Sequence, residues 1–349
     1  MKLLTIAVPA YNVEKTLAAT LESFCIEDLL EQLDVIVVDD GSGDRTAEIA
    51  RGFAARFPDS FRLVSKANGG HGSAVNTGIR LARGRYFKVV DGDDRLERPG
   101  LRALVSRLAV TEADLVATHY KKVPEGARPD SALAVPMRFE QVPFGRAVPF
   151  GQLPLDGTVY FGIHSLTYRT ALLRQHDIAL QERTFYVDAE YGVLPIPFVR
   201  TVEFLDVYTY LYTVGASQQS TDTHNFVRRY DDHLRVVQRL VGYLSACETD
   251  RPHAEYIRTV LRKLCFTQYM LAAFYDDDTA RGRGRARAFD TWLLSADPCL
   301  YRLLGQSGYI ALLRRTHFVF LPRGQGLKRL VKRVHTFFKR FVRRRKFTY

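Results

Sequence analysis

The feature that most constrains the fold is an alternation of short apolar runs with amphipathic stretches over the first 95 residues. The apolar runs are rich in β-branched residues, and the stretches between them carry apolar side chains at helical spacing. We predict strands at 3–8, 34–38, 62–65 and 86–90, and helices at 14–26, 44–57 and 74–82. This rhythm predicts an α/β fold, with a mostly parallel sheet and helices on both of its faces.

Polar clusters follow the first, second and fourth predicted strands. They occupy residues 9–12, 39–42 and 91–94. Loops that leave the carboxyl ends of parallel strands meet at one edge of the sheet, where open α/β folds bind their ligands. We therefore expect the three clusters to converge on one crevice.

The third cluster holds three carboxylates, Asp91, Asp93 and Asp94, around the flexible Gly92. Neighbouring carboxylates repel one another unless a positive group lies among them. A hard divalent cation such as Mg²⁺ or Mn²⁺ prefers oxygen ligands and commonly bridges carboxylates to phosphates. The alternative interpretation is a solvated acidic turn that caps the next helix.

The three clusters together, in this order, resemble the inverting glycosyltransferases of family 2, which have the GT-A fold. The segments that carry the resemblance read Val-Pro-Ala-Tyr-Asn at 8–12, Val-Asp-Asp-Gly-Ser at 38–42 and Asp-Gly-Asp-Asp at 91–94. The likeness extends through the Gly-rich segment at 68–78. It is strong over residues 1–95 and looser beyond.

The resemblance implies a nucleotide-diphosphate sugar, with a UDP-sugar favoured, as the donor. Tyr11 would stack on the base, and Asp40 or Asp39 would accept a hydrogen bond from a ring N–H. Asp93 would bind the cation, and Asp91 would contact the ribose or reach the metal through water, with Asp94 in reserve. The donor-binding positions are Pro9, Ala10, Tyr11, Asn12, Glu14, Asp39, Asp40, Gly41, Asn68, Gly70, Asn76, Asp91 and Gly92, and the metal positions are Asp91 and Asp93.

The Gly-rich loop offers backbone N–H groups at Gly69, Gly70 and Gly72, which can receive phosphate oxygens near a helix start. Such a loop is also often only a turn. His71 would meet phosphate or sugar, or would be an exposed loop histidine without a role. Asn76 lies on the following helix, where packing or capping is the alternative to ligand binding.

Inverting transfer needs a base that takes the proton of the acceptor hydroxyl. The resemblance places it at the start of a helix in the second half of the domain. Asp188 is our candidate and Glu190 the alternate, although the common Glu-Asp pair reads Val187-Asp188 here. A surface acid stabilised by the helix dipole is the competing interpretation. His164 lies on the acceptor side, where it would touch sugar or serve the structure alone.

The chain is predicted to divide into a GT-A domain at 1–225, a helical region at 226–326 and a basic amphipathic helix at 327–349. Within the helical part we predict helices at 226–244, 254–274 and 286–294, a biased linker at 281–285 and a solvated acidic loop at 276–278. The Gln-x-x-Arg-Trp segment of processive members is absent, which favours transfer of one or a few sugars.

The basic helix contains ten of the Lys and Arg residues and no acid, so most of the net charge of +12 belongs to it. Apolar residues recur at three- and four-residue steps among these charges, a pattern typical of helices that bind anionic membrane surfaces. Docking on the protein core and nucleic-acid binding are the alternatives. The four scattered cysteines and the absence of a long apolar run predict a cytoplasmic protein, and the basic helix predicts that it is peripheral at the inner face of the membrane.

The expected function is therefore metal-dependent, inverting transfer of a sugar from its nucleotide-diphosphate donor to a glycan, a lipid-linked acceptor or a cell-wall polymer. Two other functions remain open at this stage. One is a non-catalytic scaffold that binds nucleotide-sugars at the membrane. The other is a sugar nucleotidyltransferase, which would be expected to show a Gly-rich basic loop after its first strand, where this chain has Pro9-Ala10-Tyr11-Asn12.

Overall fold

The computed structural model describes residues 2–155, 157–215 and 223–319. Its contacts divide the chain into two compact units, with the division between Lys263 and Leu264. The predicted boundary at residue 225 stays a prediction, and the basic segment 327–349 lies outside the described residues.

The described part of the chain contains ten strands in one sheet. They are β1 (Leu4–Ala10), β2 (Leu33–Asp39), β3 (Phe61–Ser65), β4 (Tyr86–Val89), β5 (Arg95–Leu96), β6 (Leu115–Pro124), β7 (Val135–Met137), β8 (Ala147–Pro149), β9 (Leu166–Arg169) and β10 (Thr201–Val214). The main path runs β3-β2-β1-β4-β9-β6-β10-β5.

Twelve α-helices accompany the sheet in the described ranges. They are α1 (Leu17–Glu22), α2 (Thr46–Arg56), α3 (His71–Leu81), α4 (Arg98–Leu108), α5 (Thr170–Gln175), α6 (Asp188–Val193), α7 (Thr223–Arg228), α8 (Tyr230–Ala246), α9 (Arg251–Met270), α10 (Thr279–Ala296), α11 (Pro298–Gly305) and α12 (Gly308–Arg315). A π-helical turn, Leu271–Tyr275, follows α9.

The first four long strands form the parallel half that the sequence predicts. β1 lies between β2 and β4, and β3 pairs with the outer edge of β2, all in parallel register. Every residue of β1 and β2 is buried, as expected of strands with both faces covered. The α/β architecture and the helical C-terminal region are confirmed.

The second half makes the sheet mixed. β9 runs antiparallel between β4 and β6, whereas β6 and β10 form a long parallel ladder with two register shifts. The parallel ladders each pair four to ten residues of a strand, and the antiparallel ones only two or three. The sheet is thus mostly parallel by ladder length, and β6, β9 and β10 bring the second half beside the exit of β4.

Several helix boundaries differ from the prediction. α3 begins at His71, three residues early, because Gly70 precedes it with a φ of +84° that favours glycine. The predicted helix at 226–244 is split between α7 and α8 at Arg229. The helix at 254–274 ends in the π-helical turn.

The biased segment 281–285 is helical and not a linker, because α10 runs through it. The acidic segment before it is also not simply solvated. Arg281 and Arg285 hold the buried carboxylate of Asp276, and Asp278 caps α10 by accepting from the N–H groups of Ala280 and Arg281. The glycines of the segment are tolerated because these pairs fix the start of the helix.

None of the helices in the described part of the chain combines the length and the apolar composition that a membrane crossing needs. The four cysteines are free thiols.

Candidate active site

The loops after β1 and β2 are fastened to each other by backbone-to-side-chain hydrogen bonds. The N–H of Asn12 donates to Ser42, and the amide oxygen of Asn12 accepts from the N–H of Gly43. The N–H of Glu14 donates to Asp44, and the carboxylate of Glu14 accepts from the N–H of Arg45. Asn12 and Glu14 therefore shape the loop itself. They leave the ring of Tyr11 projecting, with 53% of its surface exposed.

The acid cluster is held against the end of β1 by Gly92. Its N–H donates to the carbonyl of Pro9, and its own carbonyl accepts from the hydroxyls of Thr16 and Thr20. A Cβ at this position would lie 3.0 Å from the side chain of Val13 and 3.1 Å from the Pro9 oxygen. Pro9, Ala10 and Gly92 thus bring the first and third clusters together as expected.

Asp40 anchors the Gly-rich loop. Its buried carboxylate accepts from the N–H groups of Gly69 and Gly70, at 2.9 and 2.7 Å, and from Lys66 at 2.7 Å. The side chain of Asn68 donates to the Asp40 carbonyl. The N–H groups of Gly69 and Gly70 are therefore engaged within the protein, which differs from the expectation that they receive phosphate oxygens.

Asp39 ends β2 beside Ala10 and contacts less of the protein. Among the described residues, one of its oxygens accepts a hydrogen bond, from the N–H of Ser42 at 3.0 Å. Gly41, with a φ of +78°, makes the turn between Asp39 and Ser42. Of the two adjacent acids, Asp39 is thus the one with an oxygen left for a ligand.

Asp94 has a structural position in the acid cluster. It is buried, and its two oxygens accept from the hydroxyl of Tyr210 and the N–H of Thr213, each at 2.7 Å. Burial and the charges of Asp91 and Asp93 raise the pKa of Asp94 well above its ordinary value. Asp94 ties the cluster to β10.

Asp91 and Asp93 are only half-buried. Burial, with the charge of Asp91 added, raises the pKa of Asp93 to about 6. Burial alone would raise the pKa of Asp91 too, but the neighbouring His71 holds it below its ordinary value. The repulsion between Asp91 and Asp93 is the kind that a divalent cation relieves, so this pair fits a metal.

His71 lies among the acids. Its Nε2 is 2.8 Å from Oδ1 of Asp91. Burial alone would lower the pKa of His71, but the charges of Asp91, Asp188 and Asp93 together raise it. From the sequence alone, His71 is one of several loop residues that could meet a ligand. In the structure it is the first residue of α3, and its ring reaches Asp91.

Residues 180–188 bring the candidate base to this crevice. The side-chain amide of Asn76 donates to and accepts from the backbone of Leu180, at 2.9 and 2.8 Å. The N–H of Arg183 donates to the Gly69 carbonyl, and a Cβ on Gly72 would lie 2.1 Å from the Gln181 carbonyl. The glycines and Asn76 thus hold this segment, and both polar groups of the Asn76 amide are used in doing so.

Asp188 and Glu190 open α6 but have different surroundings. The surface of Asp188 is exposed, yet desolvation of its carboxyl by the surrounding site, with the charge of Asp91 added, raises its pKa, while His71 opposes the shift. Glu190 is fully buried and accepts from the backbone and side chain of Gln181 and from Arg239 at 2.7 Å. Asp188 can meet a ligand, whereas Glu190 joins α6 to α8.

His164 lies at the edge of the acid cluster. Asp91, Asp94 and His164 each bring one ligand atom within 4.8 Å of the others, a second arrangement that could hold a metal ion. Burial lowers the pKa of His164 to about 4, so its ring is neutral at physiological pH. The side chain of the buried Lys88 donates to the His164 carbonyl and fixes the turn that carries it.

The chain is similar to known glycosyltransferases. A family model described as glycosyl transferase family 2 matches residues 5–169. The glycosyltransferase EpsJ of Bacillus subtilis is 29% identical over 219 residues, which cover 60% of this chain and 60% of EpsJ. The matched region thus spans about three-fifths of that relative.

Solved structures share the fold. Staphylococcus aureus TarS 1–349 in complex with UDP-GlcNAc superposes with a TM-score of 0.62 at 18% identity, covering 89% of this chain and 92% of that one. The mannosyltransferase PcManGT of Pyrobaculum calidifontis, in complex with GDP-Man and Mn²⁺, has a TM-score of 0.53 at 17% identity, with 90% and 81% covered.

Proposed function

Because this chain belongs to glycosyl transferase family 2, we propose that it moves a sugar from a nucleotide-diphosphate donor to a hydroxyl of a glycan, lipid-linked or cell-surface polymer acceptor. The observation that carries the proposal is the convergence of Asp91, Asp93, His71 and Asp188 at one crevice. A leaving diphosphate and an attacking hydroxyl need such groups on opposite sides of the reacting carbon.

The donor nucleotide binds over the first two loops. Tyr11 offers an exposed ring for stacking on the base, and Asp39 offers a carboxylate oxygen for a ring N–H. Asp40, whose oxygens accept from Lys66, Gly69 and Gly70, keeps the Gly-rich loop in place. A UDP-sugar is the favoured donor, since TarS, which shares the fold, is seen with UDP-GlcNAc.

Asp93 and Asp91 would hold a divalent cation, Mg²⁺ or Mn²⁺. Such an ion would neutralise charge that develops on a departing diphosphate. The mutual repulsion of these two carboxylates supports the assignment, and PcManGT, of the same fold, is seen with Mn²⁺. The hydrogen bond from His71 orients Asp91.

Asp188 takes the proton of the acceptor hydroxyl, with inversion at the anomeric carbon. Its exposure lets it meet the acceptor, and a raised pKa makes its carboxylate a stronger base. Glu190 is less suited to this role because Gln181 and Arg239 already occupy its oxygens.

The basic segment 327–349 would bind the enzyme to an anionic membrane surface. This step rests on the sequence pattern alone, ten cationic residues interleaved with apolar ones. It places the enzyme where a lipid-linked or surface-polymer acceptor would be found.

A donor screen tests the proposal. UDP-, GDP- and dTDP-sugars are incubated with the full chain and Mn²⁺ or Mg²⁺, and release of the nucleoside diphosphate is measured. We expect turnover of a UDP-sugar that is lost on addition of EDTA and falls at least 100-fold in Asp93→Ala. The matched control is Asp130→Ala, an exposed acid paired with Arg128. Unchanged metal-dependent turnover in Asp93→Ala would refute the metal assignment.

A further inference from the structure

One wall of the crevice is lined by four aromatic side chains, which we call the tyrosine wall: Tyr120, Tyr160, His164 and Tyr212. The His164 ring stacks on Tyr212 with centroids 4.4 Å apart and lies 5.0 Å from the ring of Tyr120. Its imidazole is also within 4.8 Å of ligand atoms of Asp91 and Asp94. The wall therefore begins at the acid cluster.

The wall ends beside α6, the helix that Asp188 opens, because a Cβ on Gly192, one turn after Asp188, would lie 2.6 Å from the carbonyl oxygen of Phe161, the neighbour of Tyr160. Burial, with the charges of Asp188 and Tyr120 added, raises the pKa of Tyr160, as expected of a phenol whose hydroxyl lies near a carboxylate. Burial, with the charge of Tyr212 added, raises the pKa of Tyr120. The contacts of the His164 ring with Tyr120 and Tyr212 join these tyrosines to the acid cluster, and Tyr160 lies at the α6 end of the wall.

Tyr160 is not a core residue. Its surface is 43% exposed, whereas the adjacent Phe161 is 2% exposed and packs in the core. The ammonium group of Lys263 lies 4.9 Å from the centre of the Tyr160 ring and holds the ring in place. An exposed aromatic ring that is fixed in a crevice beside a catalytic acid is typical of a ligand site.

The chemistry of the wall matches a sugar ring. A pyranose has a flat face of C–H groups, which packs on an aromatic face, and a rim of hydroxyls, which both donate and accept hydrogen bonds. Phenol hydroxyls also do both. A linear polyol phosphate has no such face, so it would leave the aromatic faces of the wall without a packing partner.

We propose that the tyrosine wall is the acceptor subsite and takes a pyranosyl unit, whose hydroxyl it presents to Asp188. The inference rests on the proposed function and names the class of acceptor. Tyr160, at the Asp188 end, holds the acceptor ring, and His164, at the other end, faces the transferred sugar.

Binding without turnover tests the subsite. Methyl β-cellobioside and ribitol 5-phosphate are titrated into the full chain with UDP and Mn²⁺, and affinity is followed by saturation-transfer NMR. We expect the cellobioside to bind at least ten-fold more tightly. Tyr160→Ala should weaken its binding about five- to ten-fold, the loss of one aromatic contact, and Tyr160→Phe by less.

Phe144→Ala is the matched control. Phe144 is a comparably exposed ring, 37% against 43%, and it lies beside Phe204, at the other end of β10 from Tyr212. This variant should bind the cellobioside within two-fold of the native chain. An equal loss in Phe144→Ala and Tyr160→Ala would overturn the proposal.

Three further results would also overturn it: equal affinity for the two probes, no binding of either, or displacement of the cellobioside by a UDP-sugar. Displacement would show that the wall holds the donor sugar. Failure of the proposed function would give a different result. A chain that binds the cellobioside at Tyr160 but turns over no donor would support the acceptor subsite and contradict the proposed transferase activity.

Discussion

His71 and Asp91, 20 residues apart in the sequence, are joined by a hydrogen bond of 2.8 Å between the imidazole Nε2 and the carboxylate Oδ1. An ionised carboxylate only accepts, so His71 donates. The bond connects the Gly-rich segment to the acid cluster and places an ionisable imidazole beside Asp91, where the charges of Asp91, Asp188 and Asp93 raise its pKa. When it is protonated, His71 offsets part of the negative charge of the site.

This relationship predicts the titration of His71. In the metal-free protein we expect the pKa of His71 to lie above its ordinary value, because burial is outweighed by the charges of Asp91, Asp188 and Asp93. Asp91→Asn removes the nearest charge and should lower the pKa. NMR titration of the His71 ring protons measures both.

Asp130→Asn is the control, since Asp130 pairs with Arg128 and is not among the charges that act on His71. A pKa for His71 that does not change in Asp91→Asn would contradict the hydrogen bond as the origin of the shift.

The raised pKa of Asp93 predicts how metal binding depends on pH. Below its pKa of about 6, Asp93 is protonated, and a proton must leave before the carboxylate can bind a cation. Mn²⁺ affinity should therefore be nearly constant above pH 7 and fall about ten-fold for each pH unit below 6. Isothermal titration between pH 4.5 and 8 measures this, and an affinity that is flat across the range would refute the role of Asp93.

The first 95 residues could be predicted well because their signals are local. Buried parallel strands appear as uninterrupted apolar runs, and polar groups at their exits necessarily meet at one edge, as Ala10 and Asp39 do. The predictions of the α/β fold and of the family are confirmed for this reason.

The rest depends on contacts between residues far apart in the sequence. Asn76 pairs with Leu180, 104 residues away, and Glu190 with Arg239, 49 residues away. The spacing of residues along the chain does not predict such long-range pairs. Similarly, the Arg-Gly segment at 281–285 is helical because two of its arginines bind the buried Asp276, a tertiary effect that overrides the weak helix propensity of glycine.

The two acids of α6 should separate catalysis from stability. Asp188→Asn removes the proposed base, so we expect transfer to fall by about 100-fold or more while the melting temperature is retained. Glu190→Gln leaves Arg239 without its carboxylate partner and should lower the free energy of unfolding by about 1–3 kcal/mol. Transfer kinetics and urea unfolding of both variants provide the measurements.

The reverse pattern would reassign the base. If Asp188→Asn retains full transfer and Glu190→Gln abolishes it without loss of stability, Glu190 carries the proton. Arg174→Gln provides a comparison for stability alone, because this arginine donates to carbonyls at the end of α3 and touches no acid of the site.

The basic segment predicts binding to anionic membranes. Ten Lys and Arg residues between 327 and 349 should each contribute about 1 kcal/mol near an anionic surface, and the interleaved phenylalanines should insert at the lipid boundary. The full chain should therefore sediment with phosphatidylglycerol vesicles but not with phosphatidylcholine vesicles, and high salt should weaken binding.

Deletion of 327–349 should leave the protein in the supernatant. Replacing Phe337, Phe338 and Phe341 with serine should make the remaining binding fully salt-reversible. Continued sedimentation of the deletion variant would exclude this segment as the membrane anchor.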